Sequence, residues 1–194
     1  MYKASDMIKQ SFRIASIVKL VLVAMLFLPA AANHGPQEND VSSSSLELVM
    51  LKVHNDERKR LGSKSLLWDE ALAQDAKGWA SKLAASGRFE HAFDAIRKKN
   101  QGENLWMGTA GYFTYQQMSE MWLDERKMAK TGIFPDVTTT RNWSDVGHYT
   151  QMIWPATRKV GCAIGKGKSD DVLVCRYWPA GNRIGEKLQI DAGN

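Results

Sequence analysis

Two cysteines in 194 residues cannot make a disulfide-rich scaffold. Nothing near Cys162 and Cys175 completes a zinc-finger spacing either. No HExxH pattern and no serine nucleophile elbow is present, so neither a zinc protease nor a serine hydrolase is announced by a motif. Internal repeats, heptads and low-complexity tracts are also missing. Long apolar runs are absent as well: Leu20–Leu28 holds nine residues, against roughly 20 for a helix that spans a bilayer. A strong charge of one sign is lacking too, once the amino-terminal segment is set aside. That segment holds four of the 26 basic residues and one of the 21 acidic ones, leaving 22 against 20 and a net +2. A basic nucleic-acid footprint is therefore not supported, and no nucleic-acid partner is expected.

The amino-terminal segment has its own logic. Lys3, Lys9, Arg13 and Lys19 precede Leu20–Leu28, which is followed by Pro29-Ala30-Ala31-Ala32. A basic start, a short apolar core and a small-residue cleavage site describe a secretory signal peptide over 1–32. An uncleaved anchor beginning near Ile14 is the alternative. No cysteine follows the cleavage site to take a lipid. The expectation is cleavage after Ala32, a secreted or periplasmic location and no stable membrane span. Residues 33–42 read as a flexible leader, and 43–194 as a single domain whose seven tryptophans suffice for one core.

In that exported part oxidation is allowed. Cys162 and Cys175 flank the turn formers Gly165 to Asp171, between two β-leaning runs. A hairpin centred on Lys168-Ser169 sets the two cysteines directly opposite, with Cα atoms ~4.5 Å apart, within reach of a disulfide.

Upstream, the pattern is helical. Ser44 to Glu47 spells a capping box opening a helix that runs to Leu61 and stops at Gly62. His54 and Arg58 lie on it, read as packing or surface pairing. Asp69 caps a second helix with the stripe Leu72, Ala76, Trp79, Ala80 and Leu83, closed by Gly87. His91 follows it, and Gly102-Glu103-Asn104-Leu105-Trp106 looks like the start of a strand. Thr114 to Gln117 is a second capping box. The stripe of that third helix is Met118, Met121 and Trp122, and its next position is Glu125. A carboxylate continuing an apolar stripe must reach the rim or find a partner, because unpaired burial of charge is costly. The stretch from Lys130 to Asn142 reads as a loop with Ile133-Phe134 exposed. Beyond it, Asp145 is placed to cap a short helix that Pro155 ends, carrying His148, Gln151 and Met152 on one face.

These words occur together in one family. Gly147 to Trp154 matches one signature of the CAP superfamily, and Val174 to Asn182 resembles the other. His54-Asn55 with Arg58, Leu67-Trp68-Asp69, Gly102 to Leu105, and Trp122 followed by Glu125 occur in the family's order. The resemblance covers about residues 46 to 182. It implies an α/β fold, an α-β-α three-layer sandwich around a small, mainly antiparallel sheet. It also implies a tetrad in a cleft: His91, Glu103, Glu125 and His148, with Gln151 in support. Two imidazoles are ligands for zinc or another divalent cation, bound weakly because catalytic zinc usually has three protein ligands. The two glutamates would orient the rings. The resemblance further implies a sterol or fatty acid partner, touching Ile133, Phe134 and Pro135. The function expected is thus an exported binding protein. One alternative is a metal-assisted hydrolase with Glu103 or Glu125 as general base. Another is a scaffold that binds a protein partner, its four polar groups merely neutralising one another.

Overall fold

Alternation along one strand sorts the interior into two halves. From Asp170–Trp178, Leu173, Cys175 and Tyr177 enter one core, while Val172 and Val174 enter the other. A strand buried on both faces needs a layer on each side, which the helices provide. The computed structural model describes residues 45–93, 98 and 100–190. The signal peptide and leader expected over 1–42 lie outside the described residues.

The elements in order are α1 (Leu46–Arg60), β1 (Leu67–Trp68), α2 (Glu70–Ser86), β2 (Gly102–Thr109) and α3 (Tyr115–Asp124). A 3-10 turn (Glu125–Met128), β3 (Gly132–Ile133) and a second 3-10 turn (Trp143–Asp145) lead to α4 (Gly147–Ile153). The chain closes with β4 (Lys159–Lys166), β5 (Asp170–Trp178) and β6 (Lys187–Leu188). The main sheet has the order β1-β4-β5-β2; β1 runs parallel to β4 and the other pairs are antiparallel. β3 and β6 form a separate two-stranded ribbon. The α2 layer packs with Val172, Val174 and Leu105 on one face; α1, α3 and α4 cover the other. This is the α-β-α sandwich.

The hairpin register is the symmetric one: Cys162 faces Cys175 and Lys166 faces Asp171, centred between Lys168 and Ser169. The cysteines are bridged, with Cα atoms 4.1 Å apart. Helix α2 begins and ends as its sequence dictates. The Asp69 carboxylate accepts from Leu72 N at 3.1 Å, and Gly87 takes the left-handed conformation that closes the helix. All five residues of its predicted stripe are buried. The capping box of Thr114 and Gln117 forms at α3.

Several local expectations need correction. Ser45, not Ser44, caps α1, accepting from Leu48 N, so Glu47 has no box partner there. Met121 leaves the stripe of α3, exposed at 37 %, and Ser119 is buried in its stead. Phe134 is interior, with its ring 5.3 Å from Trp143 and 5.9 Å from Trp154, while its neighbours Ile133 and Pro135 face solvent. Arg58 makes no surface pair, being fully buried.

Candidate functional site

Helix α4 has seven residues and no side-chain cap of its own. Asp145, expected to cap it, belongs to the preceding 3-10 turn and bonds Thr140 Oγ1 and Asn142 Nδ2. The cap comes from 23 residues upstream in sequence. Glu125 Oε2 accepts from His148 N and from Tyr149 N, both at 3.0 Å. Its other oxygen accepts from His148 Nδ1 at 2.6 Å. A carboxylate at a helix N-terminus satisfies orphan donors and meets the positive end of the dipole. Trp122 stacks on the imidazole at 5.9 Å and an interplanar angle of 15°. His148 is thus fixed in backbone, ring tilt and tautomer by one glutamate and one tryptophan.

The carboxyl end of the same helix is met by Arg58. Its guanidinium donates to the carbonyls of Met152 (3.1 Å), Trp154 (2.9 Å), Thr157 (3.1 Å) and Lys64 (2.7 Å). Burial draws its pKa down to about 10, so it stays charged at neutral pH. A cation at the carbonyl end complements the dipole as Glu125 does at the other.

The second histidine has its own carboxylate. His91, in the connection after α2, places Nδ1 2.7 Å from Glu103 Oε1, which also accepts from Ala92 N at 2.9 Å. Glu103 Oε2 lies 2.9 Å from the Arg176 guanidinium, and both side chains are buried. The pair follows from register, since Glu103 on β2 faces Arg176 on β5. A buried carboxylate survives only with such a partner.

The structure therefore joins His91 to Glu103 and His148 to Glu125. The two pairs flank the start of β2, one of the two edge strands of the main sheet. Glu103 and Leu105 point to the α2 layer, whereas Gly102 and Asn104 point to α4. Asn104 Nδ2 donates to His148 O (3.1 Å) and to Tyr177 Oη (3.1 Å), and Tyr177 bonds His54 Nε2 at 2.8 Å. Among the described residues, no three histidine, cysteine, aspartate or glutamate side chains gather as a complete metal cage. Gln151 is buried, accepting from Gly181 N at 2.9 Å and donating to Thr157 Oγ1. A recess of about 300 Å³ between α1 and α3 and another of about 480 Å³ beside α2 are lined by other residues.

In each pair an ionised carboxylate can only accept, so Nδ1 carries the hydrogen and a neutral ring keeps its Nε2 lone pair. His91 and His148 retain 47 % and 27 % side-chain exposure. This is the donor set that a cation bound through Nε2 requires. The same contacts count against Glu103 or Glu125 as a general base, because most of their acceptor capacity is already engaged. Arg176 and Asn104, which position the pairs, were not singled out in the sequence. Asn104 stands in the Gly-Glu-Asn word, but Arg176 becomes visible only through the β2–β5 register.

Comparison with known proteins gives a consistent result. The model of the cysteine-rich secretory protein family, CAP, matches residues 51–177. Pathogenesis-related protein 1B of Nicotiana tabacum is 30% identical over 176 residues, which cover 90% of this chain and 96% of the tobacco protein. GLIPR1-like protein 1 of Bos taurus is 34% identical over 170 residues, 78% of this chain and 66% of that protein. Among solved structures, NaASP2 with Zn2+ aligns with a TM-score of 0.63 at 26% identity, covering 76% of this chain and 87% of that one.

Proposed function

Because the chain belongs to the cysteine-rich secretory protein (CAP) family, we propose that it is an exported binding protein whose imidazole–carboxylate pairs hold a divalent cation, zinc foremost. The observation that carries this reading is the repeated pairing of Nδ1 with a carboxylate, at 2.7 Å for His91 and 2.6 Å for His148. One such pair is an ordinary way to satisfy a histidine. Two at the same strand end leave two Nε2 atoms in the state that ligates metal. The crystal structure of NaASP2 contains Zn2+, and that protein is 26% identical to this chain. A cation bound here would supply a positive charge to polarise or bridge a ligand oxygen. Glu103 and Glu125 set ring tautomer and tilt, Arg176 lies against Glu103 at 2.9 Å, and Asn104 holds the His148 carbonyl. With two nitrogens as protein ligands the ion exchanges readily. Relatives include tobacco pathogenesis-related proteins and wasp venom allergens, and an extracytoplasmic location is part of the proposal.

Calorimetric titration of zinc into the chain and its His91→Ala/His148→Ala variant tests the reading. Saturable heat is expected from the first and none above dilution from the second. Glu103→Gln should weaken binding about 10–100-fold through its ring. Equal heats from the parent chain and the double variant would place binding elsewhere.

A further inference from the structure

Asn142 is the single asparagine of the chain that is followed two places on by serine or threonine with no proline between. Asn-x-Ser is the acceptor pattern for an asparagine-linked glycan, and it has meaning only at the surface of an exported chain. The pattern is short enough to occur by chance, so the geometry decides. Residues 139–144 are all exposed. They belong to the connection between β3 and α4, where an added group meets solvent rather than a packed layer.

The turn brings the carboxamide and the hydroxyl of that pattern together. Asn142 is extended, at φ −116° and ψ 103°, and caps the 3-10 turn Trp143–Asp145. Its Oδ1 accepts from Ser144 N at 3.3 Å and from Ser144 Oγ at 2.9 Å. This is an Asx turn made by contacts within three residues, and such local bonds do not wait for the rest of the fold. Capping needs only the backbone donor; the hydroxyl bond is additional, and the hydroxyl is the group that the acceptor pattern demands. Asn142 Nδ2 carries two hydrogens and gives one to Asp145 Oδ1 at 3.1 Å. The other has no partner among the described residues, so a substituent can replace it while the turn keeps all of its bonds. Trp143, the residue between, packs its ring against Phe134 at 5.3 Å, and Asn142 stays exposed.

We propose that Asn142 is an N-glycosylation site of this protein. The site rests on the export proposed above and is independent of a cation at the histidine pairs. The donor is an oligosaccharide carried on a polyprenyl diphosphate in the lumen that the chain enters, and the catalyst is the transferase there. Nδ2 forms a bond to C1 of the first sugar as the C1–O bond to phosphate breaks. The diphosphate leaves with that electron pair, and Nδ2 gives up one proton to a base of the transferase. Nothing is oxidised or reduced. The remaining N–H keeps its bond to Asp145, so the glycan projects from an intact turn.

Translation of the full chain in a lysate supplemented with endoplasmic-reticulum microsomes tests the proposal. The expected product is protected from added protease and carries a single glycan. Peptide-N-glycosidase should release that glycan and leave a carboxyl group in place of the Asn142 carboxamide, read by peptide mass. Asn142→Gln and Ser144→Ala should each abolish the modification, whereas Ser144→Thr, which retains a hydroxyl, should keep it. A protected chain without the glycan overturns the proposal and leaves export standing. So does a glycan that persists in either of the first two variants. A chain that stays outside the microsomes overturns export and this site together.

Discussion

His54 shows how one residue ties pH to stability. Its Nδ1 is 2.6 Å from Met50 O, an atom that can only accept, so this nitrogen carries the hydrogen. Asn104 Nδ2 donates to Tyr177 Oη, which leaves the phenol hydrogen free to donate to His54 Nε2. The chain of bonds runs one way and demands a neutral ring. Burial lowers the His54 pKa from 6.5 to about 4, with Arg58 adding to the fall against the opposing Met50 bond. The unfolded chain therefore binds a proton between these values that the folded chain refuses. Stability is full above about pH 6.5 and declines as pH falls toward 4, by about 3 kcal/mol from this ring. Buried carboxylates act lower. Burial pushes Glu57 and Asp75 up, but Arg60 and Tyr149 outweigh it for Glu57, and Gln101 and Lys98 for Asp75. Asp69 is held down by Lys159 and by the Leu72 backbone. These three support the fold above the ordinary carboxylate range, and their support is lost below it. Urea unfolding of the chain and of His54→Asn between pH 7 and 4 separates the contributions. The parent slope should flatten in the variant over that window; parallel slopes would mean the ring is not the proton-linked group.

At the scale of elements, α4 depends on distant charges for both of its ends. A helix of seven residues has more orphan backbone groups than internal bonds. Glu125 and Arg58 satisfy several of them from α1 and the turn after α3. Arg58→Met keeps the volume but strands four carbonyls, and should cost about 3 kcal/mol or more. Glu125→Gln keeps an acceptor but loses charge, and should cost about 1–2 kcal/mol. Faster amide exchange at His148 and Tyr149 would accompany that loss; unchanged exchange would assign the capping to another group. This dependence also marks the limit of reading elements from sequence. Helix α2 was legible in its cap, stripe and terminating glycine because all three signals are local. Start and stop of α4 were legible, but its cap was assigned to Asp145, the nearest carboxylate. Glu125 was visible only as an anomaly on an apolar stripe. Phe134 looked exposed because its partners, Trp143 and Trp154, are brought to it by the fold rather than by adjacency.

Across the whole molecule the layers are held closer than side chains usually allow, and glycines in β4 make the room. A Cβ on Gly165 would lie 2.1 Å from Ala80 O, and one on Gly161 only 2.3 Å from Ala73 N. Both obstacles are backbone atoms of α2, which cannot swing aside as a side chain does. The helix answers with Ala73, Ala76 and Ala80 on the buried side, so its main chain rests on the strand. The hairpin and its bridge could be read from turn chemistry and symmetric register. This contact could not, because a glycine in a β-leaning run signals a bulge, a bend or a close approach alike. Its strength can be measured against a glycine in the same helix. Gly78 lies within α2 on the exposed side, and a Cβ there would meet nothing within 4 Å. Gly165→Ala should lift α2 from the sheet and cost about 3 kcal/mol, whereas Gly78→Ala should stabilise by about 0.5–1 kcal/mol through helix propensity. Urea midpoints should therefore move in opposite directions for the same chemical change. If Gly165→Ala unfolds at the parent midpoint, the helical layer has slack and the tight seating of α2 on β4 is not a source of stability.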